Sequence, residues 1–348
     1  MNINFKLCRT EEPVKKNLPL LLTLFLLLGL AVPVKTLARE LVIYSARNEH
    51  LIEPLFKKYE SEAGVTVRFI TDNAGALIQR IKAEGRRSPA DVLITVDAGN
   101  LWYAAQQKLL KSVDSPVLRE RIPEHLRDPE GRWYGISVRA RTIVYSTQRV
   151  QPAELSTYEA LGNPEWKGRL ILRTSKKVYN QSLVAMLIAE HGIDRTEEIV
   201  RSWVGNLATG PFSNDTKVME AIVAGQGDVG IVNTYYFGRL LKDNPELPLA
   251  LFWPDQGGAG VHINVSGAGV VATSGKADLA LHFLEWLAGA EAQKVFAEAN
   301  MEYPASPDVQ VHPLVRSWGT FRSSSMNLAR AGELQTEAIK LMDRADYR

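Results

Sequence analysis

Two short stretches of this chain read almost alike: Ala90-Asp91-Val92-Leu93-Ile94-Thr95 and Gly227-Asp228-Val229-Gly230-Ile231-Val232. Each runs small residue, Asp, Val, any residue, Ile, and each leaves its strand toward a loop that opens a helix. The echo is too short to prove duplication, but it predicts two similar α/β lobes. Around the first copy, Leu41-Val42-Ile43-Tyr44 reads as a buried strand. Glu49 to Glu62 places Leu51, Ile52, Leu55, Phe56 and Tyr59 on one helical face, and Gly64 ends that helix. Val65 to Phe69 alternates as a strand, Ala74 to Glu84 is helical, Asp91 to Thr95 is a strand and Asn100 to Leu110 a helix. Around the second copy, Leu170 to Leu172 is a strand. Ser182 to His191, Thr196 to Trp203 and Thr216 to Ala224 are helices. Such alternation implies parallel, helix-covered sheet.

Two extended segments, Ile136 to Tyr145 and His262 to Val271, are suited to crossing between the lobes. A chain that crosses and later returns makes one lobe discontinuous and leaves the crossing strands as a hinge. Solutes of α/β sheets sit beyond the carboxyl ends of the strands, so two facing lobes predict a cleft between them. With 348 residues, 45% of them hydrophobic, the chain can fill two such cores. The boundaries expected are residues 39–138 plus about 262–311 for the first lobe, and about 139–261 plus about 312–348 for the second.

Residues 1–38 read as a secretory signal. Lys6, Arg9, Lys15 and Lys16 precede an apolar run from Leu18 to Val32, and small residues lead to cleavage after about Ala38. The run is short for a membrane span and contains Gly29, with Pro33 directly after it. Cleavage removes five basic and two acidic side chains, taking the formal charge from +2 to −1. That balance argues against nucleic acid or an anionic membrane as the main partner. The single cysteine, Cys8, leaves with the leader. The mature chain therefore has no lipid-anchoring cysteine, disulfide, Cys-zinc site or thiolate nucleophile.

The chemistry concentrates in Asn233-Thr234-Tyr235-Tyr236-Phe237, directly after the strand Val229 to Val232. Adjacent tyrosines at a strand exit converge only if the backbone turns there; otherwise the pair is ordinary packing. Tyr179, just before an apolar helix, comes from the same lobe. Its bland reading is a packed ring beside a helix cap made by Asn180 or Ser182. Across the cleft, Glu49 and His50 follow the first strand, where a carboxylate also suits a first helical turn. Three phenols and a carboxylate are hard oxygen donors, and they favour ferric iron over zinc or copper. Arg139, Arg141 or Arg239 would offset the excess negative charge or hold a partner anion; salt bridges are their plainer role.

These residues resemble the ferric-ion-binding family of periplasmic substrate-binding proteins, especially its tyrosine-rich cyanobacterial-type members. The likeness spans Leu41 to about Tyr303. It is carried by Val42 to Arg47, Ser88 to Val92, Arg139 to Tyr145, Tyr179 to Ser182, Asn233 to Tyr236, His262 to Gly269 and Glu302 to Pro304. The resemblance implies a type II two-lobed clamshell, each lobe a mixed sheet flanked by helices. It implies Fe3+ held by Tyr179, Tyr235 and Tyr236, with Arg139 and Arg239 beside the site and carbonate as an example of a co-bound anion. It further implies a monomer in the periplasm that delivers its cargo to an inner-membrane ABC permease. The family often has histidine, or histidine then tyrosine, where this chain has Asn48-Glu49. Glu49 is expected to approach the metal directly or through water, Asn48 not to bind it, and His50 to lie out of register. The competing readings are a binding protein for a phosphonate- or polyamine-type solute and a secreted enzyme. Against an enzyme, no Gly-x-Ser-x-Gly elbow, His-Glu-x-x-His helix or phosphate loop is present.

Overall fold

Residues 39–348 are described by the structure, a computed structural model; the leader and its cleavage point lie outside the described residues. Strand β1 (Arg39–Ser45) buries Leu41, Ile43 and Tyr44, and helix α1 (Glu49–Ala63) lays Ile52, Leu55, Phe56 and Tyr59 against it. Gly64 caps α1 at φ 62°, a left-handed angle that glycine adopts without strain, and its N–H reaches Glu60 O at 3.1 Å. Strand β2 (Val65–Thr71), helix α2 (Ala74–Glu84), strand β3 (Val92–Val96) and helix α3 (Ala98–Gln106) follow. Strand β1 pairs with β3 in parallel, as the alternation predicts.

The later elements are β4 (Tyr134–Ser146), β5 (Leu170–Ile171), α4 (Val178–His191), α5 (Ile193–Gly205), α6 (Asp215–Val223), β6 (Val229–Asn233) and α7 (Thr234–Asp243). Then come β7 (Leu249–Phe252), β8 (Ile263–Val270), α8 (Ala277–Leu287), α9 (Ala290–Asn300), β9 (Tyr303–Pro304) and α10 (Gln335–Arg344). The strand order is β2-β1-β3-β8-β4-β6-β5, with β7 and β9 also paired to β4. Both crossing strands run antiparallel to their neighbours, so the sheet is mixed where simple alternation implies parallel pairing.

Strand β4 changes partner midway. Arg139 and Ala140 pair with Asn264 and Ile263 of β8, whereas Arg141 and Thr142 pair with Asn233 and Val232 of β6. The apolar clusters change with it. One core gathers β1, α1, α2, β3, α3, α8 and α9 with the first half of β4. A second gathers the latter half of β4 with β5, α4, α5, β6 and α10. The molecule is thus a two-lobed α/β fold strung on two long strands. All thirteen residues of β4 are buried, and residues two apart share a face of a strand. That rule places Ser137, Arg139 and Arg141 on one side, where the polar site lies.

Candidate functional site: a phenol-lined cavity

The end of β6 and the start of α7 are contiguous: Asn233 is the last strand residue and Thr234 the first helical one. The backbone therefore turns at this exit, and Tyr235 and Tyr236 fall in the first turn of α7. Their rings stack obliquely, centroids 4.4 Å apart. Tyr179 is likewise in the first turn of α4. Asn180 and Ser182 do not cap that helix; Lys177 occupies the cap position without a side-chain bond, and both polar residues are committed elsewhere. All three tyrosines line one cavity of about 160 Å3, together with Ala46, Arg47, Asn48, Leu51, Val96, Arg139, Arg239 and Glu302. Free N–H groups at a helix N-terminus favour negative charge nearby, so two helix starts here support phenolate formation.

Guanidinium groups surround the phenols. Arg139 stands 5.6 Å and Arg173 5.0 Å from the Tyr179 ring centre. Arg173 also lies 5.9 Å from that of Tyr236, and Arg239 lies 5.1 Å from Tyr235 and 6.0 Å from Tyr236. Arg139 is buried, donates one bond of 3.2 Å to Ser266 Oγ, and leaves Nε and Nη2 without a protein partner. Burial pushes the Tyr179 and Tyr235 hydroxyls above the ordinary phenol range; the Arg139 charge pulls both back in part.

Beneath the phenols, Asp215 ties the second lobe's pieces together. Its carboxylate holds Arg141 and Arg173, each at 3.2 Å, and accepts from the Asn233 N–H at 2.9 Å. Arg141 in turn donates to Asn180 Oδ1, next to Tyr179, and to Asn233 Oδ1. One buried network thus fixes both tyrosine-bearing segments. Arg141 is spoken for within it. On the first lobe's wall, Arg47 pairs with Glu302 at 3.0 Å and donates to Ser266 Oγ at 2.6 Å.

Glu49 is exposed and does not line this cavity. It lines an adjoining cleft of about 1020 Å3, with His50, Asp72, Arg173, Lys176 and Lys177. Asn48 lines both spaces, as do Arg47 and Tyr179. Among the described residues, no group of three or more His, Cys, Asp or Glu could cage a metal; the hard oxygen donors lining this cavity are the three phenols and Glu302, whose carboxylate is paired with Arg47. Sequence reading missed Arg173, Glu302 and Arg47 as wall residues. Each follows or precedes a strand end, yet each is placed by a partner far along the chain.

A family profile described as bacterial extracellular solute-binding protein matches residues 87–327. The chain belongs to that family. This solute-binding protein is 41% identical to iron uptake protein A1 of Synechocystis over 316 residues, covering 89% of this chain and 88% of the relative. It is 42% identical to iron uptake protein A2 of the same organism over 318 residues, covering 89% and 90%. A Trichodesmium protein solved in complex with iron and citrate ligands shares 42% identity and superposes with a TM-score of 0.86, covering 89% of this chain and 100% of the other. The solute-binding protein therefore has the two-lobed fold of those relatives. Among its described residues no helix is long and apolar enough to cross a membrane.

Proposed function

We propose that the protein binds ferric iron on Tyr179, Tyr235 and Tyr236 in the cleft and delivers it to an ABC importer in the inner membrane. The observation that carries this reading is the meeting of three phenols, from two helix starts, on one small cavity. Ferric iron is the strong Lewis acid needed to displace phenol protons near neutrality. The Synechocystis and Trichodesmium relatives support the same cargo by what they take up or hold. Arg139 and Arg239 offset the phenolate charge, and the free nitrogens of Arg139 suit a co-bound anion such as carbonate. Glu49 serves as a donor from the opposite wall, reaching the metal directly or through water across the adjoining cleft. The lobes divide at about residues 138/139 and 261/262, with about residues 312–348 returning to the second lobe, although Leu328 and Ala329 of that stretch pack on the first core. The mature protein is a monomer in the periplasm, freed by cleavage after Ala38, and performs no catalysis.

Loading with ferric citrate should turn the purified protein red-orange through phenolate-to-iron charge transfer. Tyr235→Phe and Tyr236→Phe should each lose iron affinity by more than the roughly 10–100-fold that loss of an outer partner costs. Tyr103→Phe, on an exposed ring, should retain it. Equal retention in all three variants would refute the assignment. The ring of arginines favours a second reading, a phosphonate-like oxyanion as solute. A colourless protein that binds such an anion would decide for it.

A further inference from the structure

Asp97, directly after β3, has φ 81°, an angle that residues with side chains rarely adopt. An outlier of this kind points to a constraint that holds it. Its carboxylate is fully buried and gathers hydrogen bonds from three places. Oδ1 accepts from the Gly99 N–H at 2.9 Å and from Ser182 Oγ at 2.7 Å. Oδ2 accepts from Asn264 Nδ2 at 2.9 Å, on the crossing strand β8. The Asn264 amide oxygen in turn accepts from the Ala98 N–H at 2.8 Å.

Ser182 lies three residues beyond Tyr179 on α4, one turn along the same face. Its neighbours Leu183 and Val184 belong to the second core, whereas Ala98 and Leu101 beside Asp97 belong to the first. One buried carboxylate therefore joins the two cores on the helix that presents Tyr179. Asp97 itself does not line the cavity.

We propose that Asp97 is a closing latch. Its bond to Ser182 holds α4, and with it Tyr179, against the first core, and breaking that bond opens the cleft for release. Asp97 is a positioning residue: it touches no solute and acts on the phenol through the helix. The inference rests on the ferric reading only for its probe.

The test uses the mature protein loaded from ferric citrate, with iron release to excess EDTA followed by the visible band and dimensions followed by small-angle scattering. Ser182→Ala removes one hydroxyl at a position where alanine suits the helix. Asp97→Gly deletes the carboxylate while tolerating the backbone angle. Asp97→Asn keeps an acceptor oxygen for Ser182. We expect release about tenfold faster in Ser182→Ala, in line with loss of a hydrogen bond to a charged group. Asp97→Gly should be at least as fast and Asp97→Asn intermediate, with the band maximum unmoved and a larger radius for Ser182→Ala than for wild type. Wild-type release rates and radius in Ser182→Ala and Asp97→Gly would overturn the latch, even if both variants melt earlier. If the wild-type protein takes up no coloured iron, the ferric reading fails and scattering alone judges the latch. A larger radius in Ser182→Ala then upholds it, and an unchanged one overturns it.

Discussion

Tyr179 and Tyr235 carry opposing demands. Burial holds both hydroxyls protonated, with pKa values above the usual phenol value of about 10, while a metal needs them as phenolates. Across pH 5–8 the empty protein keeps these protons, and loading expels them. Affinity for free ferric ion should fall as pH falls, by up to about tenfold per unit for each phenol that loses its proton. Competition titrations at pH 8, 7 and 6, corrected for the competitor's own protonation, measure this slope. A flat profile would show that the phenols do not bind as phenolates. The tyrosine pair was legible in the sequence because a strand exit sets it, and strand exits have local patterns. Arg173 was not, since the strand before it is only two residues long and Asp215, 42 residues away, fixes its guanidinium. The Arg47–Glu302 pair spans 255 residues and leaves no local trace.

Helix α7 ties the tyrosine pair to the packing behind it. A Cβ on Gly238 would lie 2.8 Å from Met301 Cβ and 2.9 Å from the Trp318 ring. Gly238→Ala should therefore cost about 1–3 kcal/mol of stability by overpacking. It should also shift the visible band of the ferric form, because the helix that moves carries Tyr235 and Tyr236. Urea unfolding and an absorption spectrum check both; an unmoved band with reduced stability would show the phenols insulated from the helix. Helices and strands with clean periodicity, such as Ala74–Glu84, were readable to the residue, because local amphipathicity and burial agree there. The start of α4 was not. Its first turn, with Tyr179, is held by contacts of Asn180 and Ser182 to distant Arg141 and Asp97 rather than by capping.

For the molecule as a whole, two cores share β4, so a solute held between them adds to the stability of both. Ferric loading should raise the thermal midpoint in proportion to the logarithm of free ferric chelate, with about 2.7 kcal/mol gained at a hundredfold excess over Kd. Calorimetry at several chelate concentrations measures this, and a midpoint indifferent to iron would argue for another solute. The two-lobed plan was legible because strand–helix alternation appears twice. The mixed strand directions came from the family resemblance and not from the local alternation, since pairing across a crossing strand is decided by chain return rather than by local pattern. The position of the metal decides between a phenolate site and any other. Crystals grown with ferric citrate and measured at the iron absorption edge give that position directly. We expect one anomalous peak between the hydroxyls of Tyr179, Tyr235 and Tyr236; a peak elsewhere, or none in protein that has taken up iron, would contradict it.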